Sequence, residues 1–380
     1  MQGKEKFVAK TYAGLEQILK EELEQLGAEN CRIGTRAVEF EGDMSMIYRA
    51  NYFCRFALRI LWNVHQFTFR DNNQFYEEIY KYPAEEIMSV HNTLAFNVTM
   101  SGNMFKTPLY AALLAKDAVC DRFREKFDER PSVNKDNPDI QFNIHIFNNN
   151  AALYLDASGE SLHKRGYRVS SHPAQISEVV AAAMVKLSGW KHDCDLIDPM
   201  CGSGTILIEA AMSALNIPAG FYRKKYGFFN WKNFDRRFWE KIVNEADIKD
   251  DVPINFYGSD ISTRFIGMAK ANVQEARLSD FVRLQRCAMS ESAPKRTPAY
   301  LIFNPPYGER LDMEDIEDFY KQIGNSLKQK FAGCTAFLIS SNMEAVKRIG
   351  LHPSKKTTLY NGALECKFLR YDLYAGSKAK

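Results

Sequence analysis

Beyond about residue 166 the chain alternates short apolar runs with helical stretches, and this rhythm limits the fold more than any other feature. The runs lie at 195–198, 254–258, 299–303 and 335–340. Strands joined through helices pair in parallel, and a parallel sheet needs helices on its faces. The upstream sequence behaves differently. Residues 7–9 start a strand. The spacing of Leu15, Ile18, Leu19, Leu23 and Leu26 predicts a helix stopped by Gly27. Residues 31–40 read as a hairpin turning near Gly34-Thr35, followed by a helix over 44–52 and a strand beginning within 55–69. That β-α-β-β-α-β order suits a ferredoxin-like sandwich. A second upstream segment begins near Gln74. It shows alternation at 94–99, 140–147 and 151–156, and a helix over 109–127 carrying Lys116, Arg122, Arg124 and Lys126 as a basic face. With 380 residues the chain is too long for one ordinary core. The expected segments are 1–68, 69–162 and 163–380.

Composition removes several function classes. The net charge is only +3, which permits an anionic partner without requiring one. Eight cysteines stand at 31, 54, 120, 194, 201, 287, 334 and 366, with no CxxC pair, and the seven histidines form no ligand cluster. A disulfide framework and a metal site are not expected. No signal-peptide core opens the chain, and no apolar run reaches the ~18 residues a membrane helix needs. Free thiols and a cytoplasmic location are expected.

Three motifs close predicted strands of the third segment. Asp198-Pro199-Met200-Cys201-Gly202-Ser203-Gly204-Thr205 leads into a helix at 206–215. Glycines at a strand-to-helix turn let a ligand approach the backbone. A lone Gly-x-Gly can also be only a tight turn. Leu207 stands where a dinucleotide fingerprint has its third glycine, which argues against hydride transfer. Gly258-Ser259-Asp260 ends the next strand. Its carboxylate can accept from ribose hydroxyls, or serve as the N-cap of a helix over 262–276.

The third motif, Asn304-Pro305-Pro306-Tyr307, ends the apolar strand at 299–303 and is the most specific. Prolines fix φ and so place their carbonyls rigidly. An amide side chain and a proline carbonyl can accept both hydrogens of an exocyclic amine. An aromatic ring can stack on a flipped base, worth about 1–3 kcal/mol.

Residues 195–310, on these motifs, resemble the amino-methylating class I S-adenosylmethionine methyltransferases. Upstream, Arg130-Pro131-Ser132-Val133-Asn134, Pro138-Asp139-Ile140 and Leu155-Asp156-Ala157-Ser158-Gly159 resemble the end of a THUMP domain, an RNA-binding module. Leu162-His163-Lys164-Arg165-Gly166-Tyr167-Arg168 and His172-Pro173-Ala174-Gln175 resemble the junction into the methyltransferase. The whole chain is similar to bacterial THUMP-containing guanine-N2 RNA methyltransferases, including the N-terminal half of the large-subunit rRNA enzyme, without that enzyme's second module. The resemblance implies an α/β, Rossmann-like class I methyltransferase domain preceded by α+β ferredoxin-like and THUMP domains. It implies S-adenosylmethionine as cofactor, with Asp198, Cys201, Gly202, Ser203, Gly204 and Thr205 around its methionine, Asp260 on the ribose and Gln175 nearby. Asn304, Pro305 and Tyr307 would hold the base. The stretch Leu284-Gln285-Arg286-Cys287-Ala288 offers no carboxylate for the adenine amine.

Residues 221–241 hold seven Lys/Arg against two acids, and nine aromatics. Cations neutralise phosphates and aromatics stack on bases, but most of these aromatics are expected to pack the segment onto its own domain. Arg223, Lys224 and Lys225 are the candidates for phosphate contact. The expected activity is methylation of guanine N2 in RNA, 23S rRNA before tRNA. The alternatives are N6-adenine methylation and a non-catalytic RNA-binding or ribosome-assembly role.

Overall fold

The computed structural model describes residues 4–170, 175–306 and 313–374, and the chain divides into two compact units. The first comprises 1–11, 19–162 and 223–245; the second comprises 12–18, 163–222 and 246–380.

The first unit begins in the expected order: β1 (Glu5–Lys10), α1 (Glu16–Gln25), β2 (Glu29–Gly34), β3 (Ala37–Gly42), α2 (Ser45–Phe53) and β4 (Arg59–Thr68). α3 (Asn72–Lys81), β5 (Thr93–Ser101), α4 (Pro108–Phe127), β6 (Ser132–Val133), β7 (Ile140–Phe147) and β8 (Asn150–Asp156) follow. Antiparallel pairing of β4 with β8 joins both halves into one eight-stranded sheet, ordered β2-β3-β1-β4-β8-β7-β5-β6. Alternate residues of β7 are buried, so one face of the strand carries core and the other does not.

The basic face expected on α4 is neutralised within the unit. Arg122 grips Glu85 with two nitrogens at 2.6 and 2.7 Å, Lys126 joins the same carboxylate, Arg124 pairs with Asp121 and Lys116 with Asp117. Burial works against the Glu85 charge, but the Arg122 and Lys126 hydrogen bonds outweigh it and hold its carboxyl down at about 2.

Residues 223–245 sit in the first unit although the sequence places them after the glycine motif of the second. Their aromatics are packing residues. Phe228 and Phe238 lie 4.9 and 5.8 Å from the Tyr48 ring, and Trp239, on α7 (Arg236–Val243), lies 5.5 Å from Tyr52. Gly227 touches the chain so closely that a Cβ there would stand 2.5 Å from the Asp156 carbonyl oxygen. The Asp156-Ala157-Ser158-Gly159 motif forms that seat. The Asp156 carboxylate accepts from the Ser158 and Gly159 amides at 2.9 and 3.1 Å.

The second unit is a seven-stranded mixed sheet, ordered β11-β10-β9-β12-β13-β15-β14. Its strands are β9 (Leu196–Asp198), β10 (Phe256–Asp260), β11 (Val282–Arg286), β12 (Tyr300–Phe303), β13 (Thr335–Ser340), β14 (Lys355–Asn361) and β15 (Leu364–Asp372). Its helices are α5 (Glu178–Ser188), α6 (Thr205–Ala214), α8 (Thr263–Glu275), α9 (Met313–Lys330) and α10 (Met343–Lys347). Five strands are parallel; β15 enters antiparallel to β13 and β14 antiparallel to β15, a terminal hairpin the sequence reading did not identify. Chain order runs outward from β9 through β10 to β11, then restarts on the other side at β12. That reversal opens a crevice at the carboxyl ends of β9 and β12, where open α/β sheets take ligands.

Candidate active site

All three motifs emerge at carboxyl ends of neighbouring parallel strands, with β9 paired to both β10 and β12. Gly258 lies beside Asp198 in the sheet. A Cβ on Gly258 would fall 2.4 Å from Leu207 and 2.6 Å from Leu284, so glycine lets α6 lie against this strand.

The glycine turn is built from left-handed residues. Gly202 has φ +52° and Gly204, which precedes α6, has φ +83°. Other residues pay to adopt such angles. Gly202 is half-buried, and among the described residues nothing stands within 4 Å of where its Cβ would be, so they leave its face of the turn open. Cys201, Ser203 and Thr205 are buried. The Cys201 amide donates to the Ser259 carbonyl at 2.9 Å, which locks the turn to β10. Asp198 is also buried. One of its oxygens accepts from the Met200 amide at 3.1 Å, and burial, with Asp260 nearby, holds its carboxyl well above the usual range.

Asp260 braces the turn from the next strand. Its two oxygens accept from the Gly202 amide at 3.1 Å and the Ser262 amide at 2.8 Å. The N-cap of α8 is Ser262, whose side chain accepts from the Phe265 amide, so the helix-cap alternative for Asp260 does not hold. A carboxylate held at both oxygens keeps lone pairs for further donors. The next residue, Ile261, is 70% exposed, an apolar side chain at the rim of the site that the sequence reading passed over. Beyond it, β11 supplies no acid; Arg286 donates to the Ile261 carbonyl at 3.1 Å.

Behind the turn, the segment 165–170 is knitted to three helices. Buried Tyr167 donates to Glu209 of α6 at 2.9 Å, and Arg165 lies 3.5 Å from the same carboxylate. Arg168 pairs with Glu178 of α5 at 3.0 Å, donates to the Thr205 hydroxyl at 3.0 Å and also donates to the Gln175 side-chain oxygen Oε1. The Gln175 Nε2 is buried and has no hydrogen-bond partner among the described residues. An open glycine turn, a fixed carboxylate and an orphaned amide donor together fit a ligand with a sugar and a polar tail. His172, Pro173 and Ala174 lie outside the described residues.

The proline loop leaves β12 with Asn304 half-buried, Pro305 buried and Pro306 exposed. Its geometry is held from α9: the Tyr320 hydroxyl reaches the Pro306 carbonyl oxygen at 3.2 Å and the Ser340 hydroxyl at 2.8 Å. Tyr320 is buried, and burial pushes its phenol up to about 12. Tyr307, the expected base-stacking residue, lies outside the described residues. Tyr320→Phe should keep the ring's packing and lose the brace. Single-turnover kinetics should show methyl transfer slowed by about tenfold with cofactor affinity unchanged, the scale of one net hydrogen bond. Unaltered transfer would show that the loop needs no such brace.

The three phosphate candidates separate. Arg223 turns inward, donating to the carbonyls of Ser161 and Glu160 at 3.0 Å each and lying 5.1 Å from the Tyr226 ring. Lys224 and Lys225 are exposed. Among the described residues there is no group of metal-ligating side chains and no helix long and apolar enough to cross a membrane, and all eight cysteines are free.

An open α/β sheet with a glycine turn, a braced carboxylate on the next strand end and a proline loop at its switch point defines a methyltransferase-type domain. The RMKL-like methyltransferase domain matches residues 165–370, the RlmL ferredoxin-like domain 6–61 and the THUMP domain 69–156. The chain belongs to this RMKL-like, THUMP-containing methyltransferase family. A candidate RNA methyltransferase of Synechocystis is 36% identical over 371 residues, 97% of both chains. The ribosomal RNA large subunit methyltransferase K/L of Syntrophotalea carbinolica is 36% identical over 381 residues, 97% of this chain and 53% of that one. The chain therefore spans about half the length of that K/L enzyme. The crystal structure of SMU.472, a candidate methyltransferase, complexed with SAH, the demethylated form of S-adenosylmethionine, superposes with TM-score 0.87 at 28% identity over 100% of both chains. A Listeria monocytogenes protein described as an N6-adenine-specific DNA methylase superposes equally well, at 0.87 and 29% identity, over 98% and 97%. The expected fold and cofactor agree with these likenesses.

Proposed function

We propose that this chain is an S-adenosylmethionine-dependent RNA methyltransferase acting on the exocyclic N2 amine of a guanine, in large-subunit ribosomal RNA. The observation that carries the chemistry is the Asn304-Pro305-Pro306 loop ending a strand beside the glycine turn. The THUMP match and the rRNA methyltransferase relatives support RNA as the substrate.

The cofactor, when bound, supplies an electrophilic methyl group. With it bound, Gly202 would offer the open face of the turn, Asp260 would accept from ribose hydroxyls, and the buried Gln175 Nε2, without a partner among the described residues, would donate to the polar tail. Ile261 would pack on the purine face, which would remove its exposed surface from water. The target base reaches the loop only when unstacked. The Asn304 side-chain oxygen and the Pro305 carbonyl accept the two amine hydrogens and orient the nitrogen, so the rate gain is positional and electrostatic. As the nitrogen takes the methyl, the methyl–sulfur bond breaks and the demethylated cofactor is the leaving group; one amine proton then passes to water, so no strong base is needed.

The Listeria relative's description supports a second reading, N6-adenine methylation, because the same loop chemistry serves either amine. Incubation with tritiated cofactor and rRNA, tRNA or duplex DNA, followed by nucleoside analysis, separates the two. N2-methylguanosine from rRNA is expected; N6-methyladenosine would overturn the guanine assignment.

Phosphate contact falls to Lys224 and Lys225. Replacing both with alanine should weaken RNA binding and reduce the slope of log affinity against log salt by about one to two. An unchanged slope would remove them from the interface.

A further inference from the structure

We propose that Asn272 is a positioning residue for cofactor binding, whose single amide group clamps the glycine turn to the segment that runs over it. Asn272 lies in α8, the helix that follows Asp260, and is 1% exposed. Its Oδ1 accepts from the Val169 and Ser170 amides at 3.0 and 3.1 Å. Its Nδ2 donates to the Ser170 carbonyl at 3.2 Å and to the Ser203 carbonyl at 3.1 Å. The primary amide thereby spends two donors and both acceptor sites, its full capacity, on backbone.

The four partners are what make this more than a satisfied core amide. Ser203 lies between the two left-handed glycines, so the bond to its carbonyl fixes the turn's orientation. Val169 and Ser170 follow Arg168, which holds Gln175 and Thr205. One side chain thus sets the spacing between the turn and the segment whose arginine positions the Gln175 side chain. Gly204 helps: a Cβ there would stand 3.4 Å from Ala269, so the turn lies directly on α8 one helical turn before Asn272. Buried polar groups satisfied on every atom specify one arrangement, because any shift leaves an atom unpaired.

This inference rests on the reading of the glycine turn as the cofactor site, and the experiment tests the two separately. Calorimetric titration of S-adenosylmethionine into the unsubstituted 380-residue chain comes first; no binding there would overturn the site reading, and this inference with it. Asn272→Asp keeps the shape and both acceptor contacts but places an oxygen where Nδ2 donates. Its cofactor affinity should fall about ten- to hundredfold, the scale of a lost buried donor facing an acceptor, while kcat at saturating cofactor stays within about twofold. The Val169 and Ser170 amides should remain protected from hydrogen exchange in this variant. In Asn272→Ala the same amides should exchange faster and lose any protection conferred by cofactor. A residue that only anchors the segment predicts wild-type affinity for Asn272→Asp, and that result would overturn the proposal. So would equal loss of kcat at saturation, or failure of both variants to fold.

Discussion

Asn304→Ala should reduce methyl transfer by about 10²–10³-fold, the effect of removing one preorganised group that acts on the reacting centre. Affinity for S-adenosylmethionine should change little. The reason is positional: Asn304 follows β12, whereas the glycine turn and Asp260 follow β9 and β10. The Pro306 carbonyl is independently held by Tyr320, so truncating Asn304 leaves the loop's brace in place. A tritium-transfer assay beside a calorimetric titration reads both quantities. Equal loss of the two would mark Asn304 as structural and remove the main support for an amine-directed loop.

Asp260→Ala should show the opposite split. Its carboxylate is the acceptor for the Gly202 and Ser262 amides as well as the proposed ribose contact. Removal leaves two amides seeking partners and loosens the turn, a combined loss of about 2–4 kcal/mol, or about 30- to 1000-fold in cofactor affinity. Asp260→Asn should lie between, because its amide nitrogen must face one of those N–H donors. Wild-type affinity in both variants would exclude Asp260 from the cofactor site.

The three site motifs were legible because each combines a strand end with residues of special backbone chemistry. Gly202 and Gly204 adopt left-handed angles, and Pro305 and Pro306 follow an apolar strand that stops abruptly. The supporting residues left weaker marks. Asn272 is a polar residue at a core-facing position of a helix whose neighbours Ala269 and Val273 are buried, a signal that could have been taken up. Tyr320 had none: it is an ordinary aromatic on α9 until the fold carries it to Pro306.

Local sequence determined the parallel sheet, the left-handed turn and the ferredoxin-like order, because periodicity and φ preferences act over a few residues. Only tertiary structure decided where charge and aromatic surface went. The α4 cations read as a basic face; Asp117 and Asp121 on the helix itself pair with Lys116 and Arg124, but it is Glu85, about 40 residues upstream, that takes Arg122 and Lys126. The 223–245 segment read as part of the methyltransferase, yet it packs with the first unit, and its Arg223 is turned onto backbone carbonyls. Partners distant in sequence make those choices: Glu85 meets Arg122, and Gly227 meets Asp156, because burial and hydrogen bonding are settled by what the folded chain brings within a few ångströms.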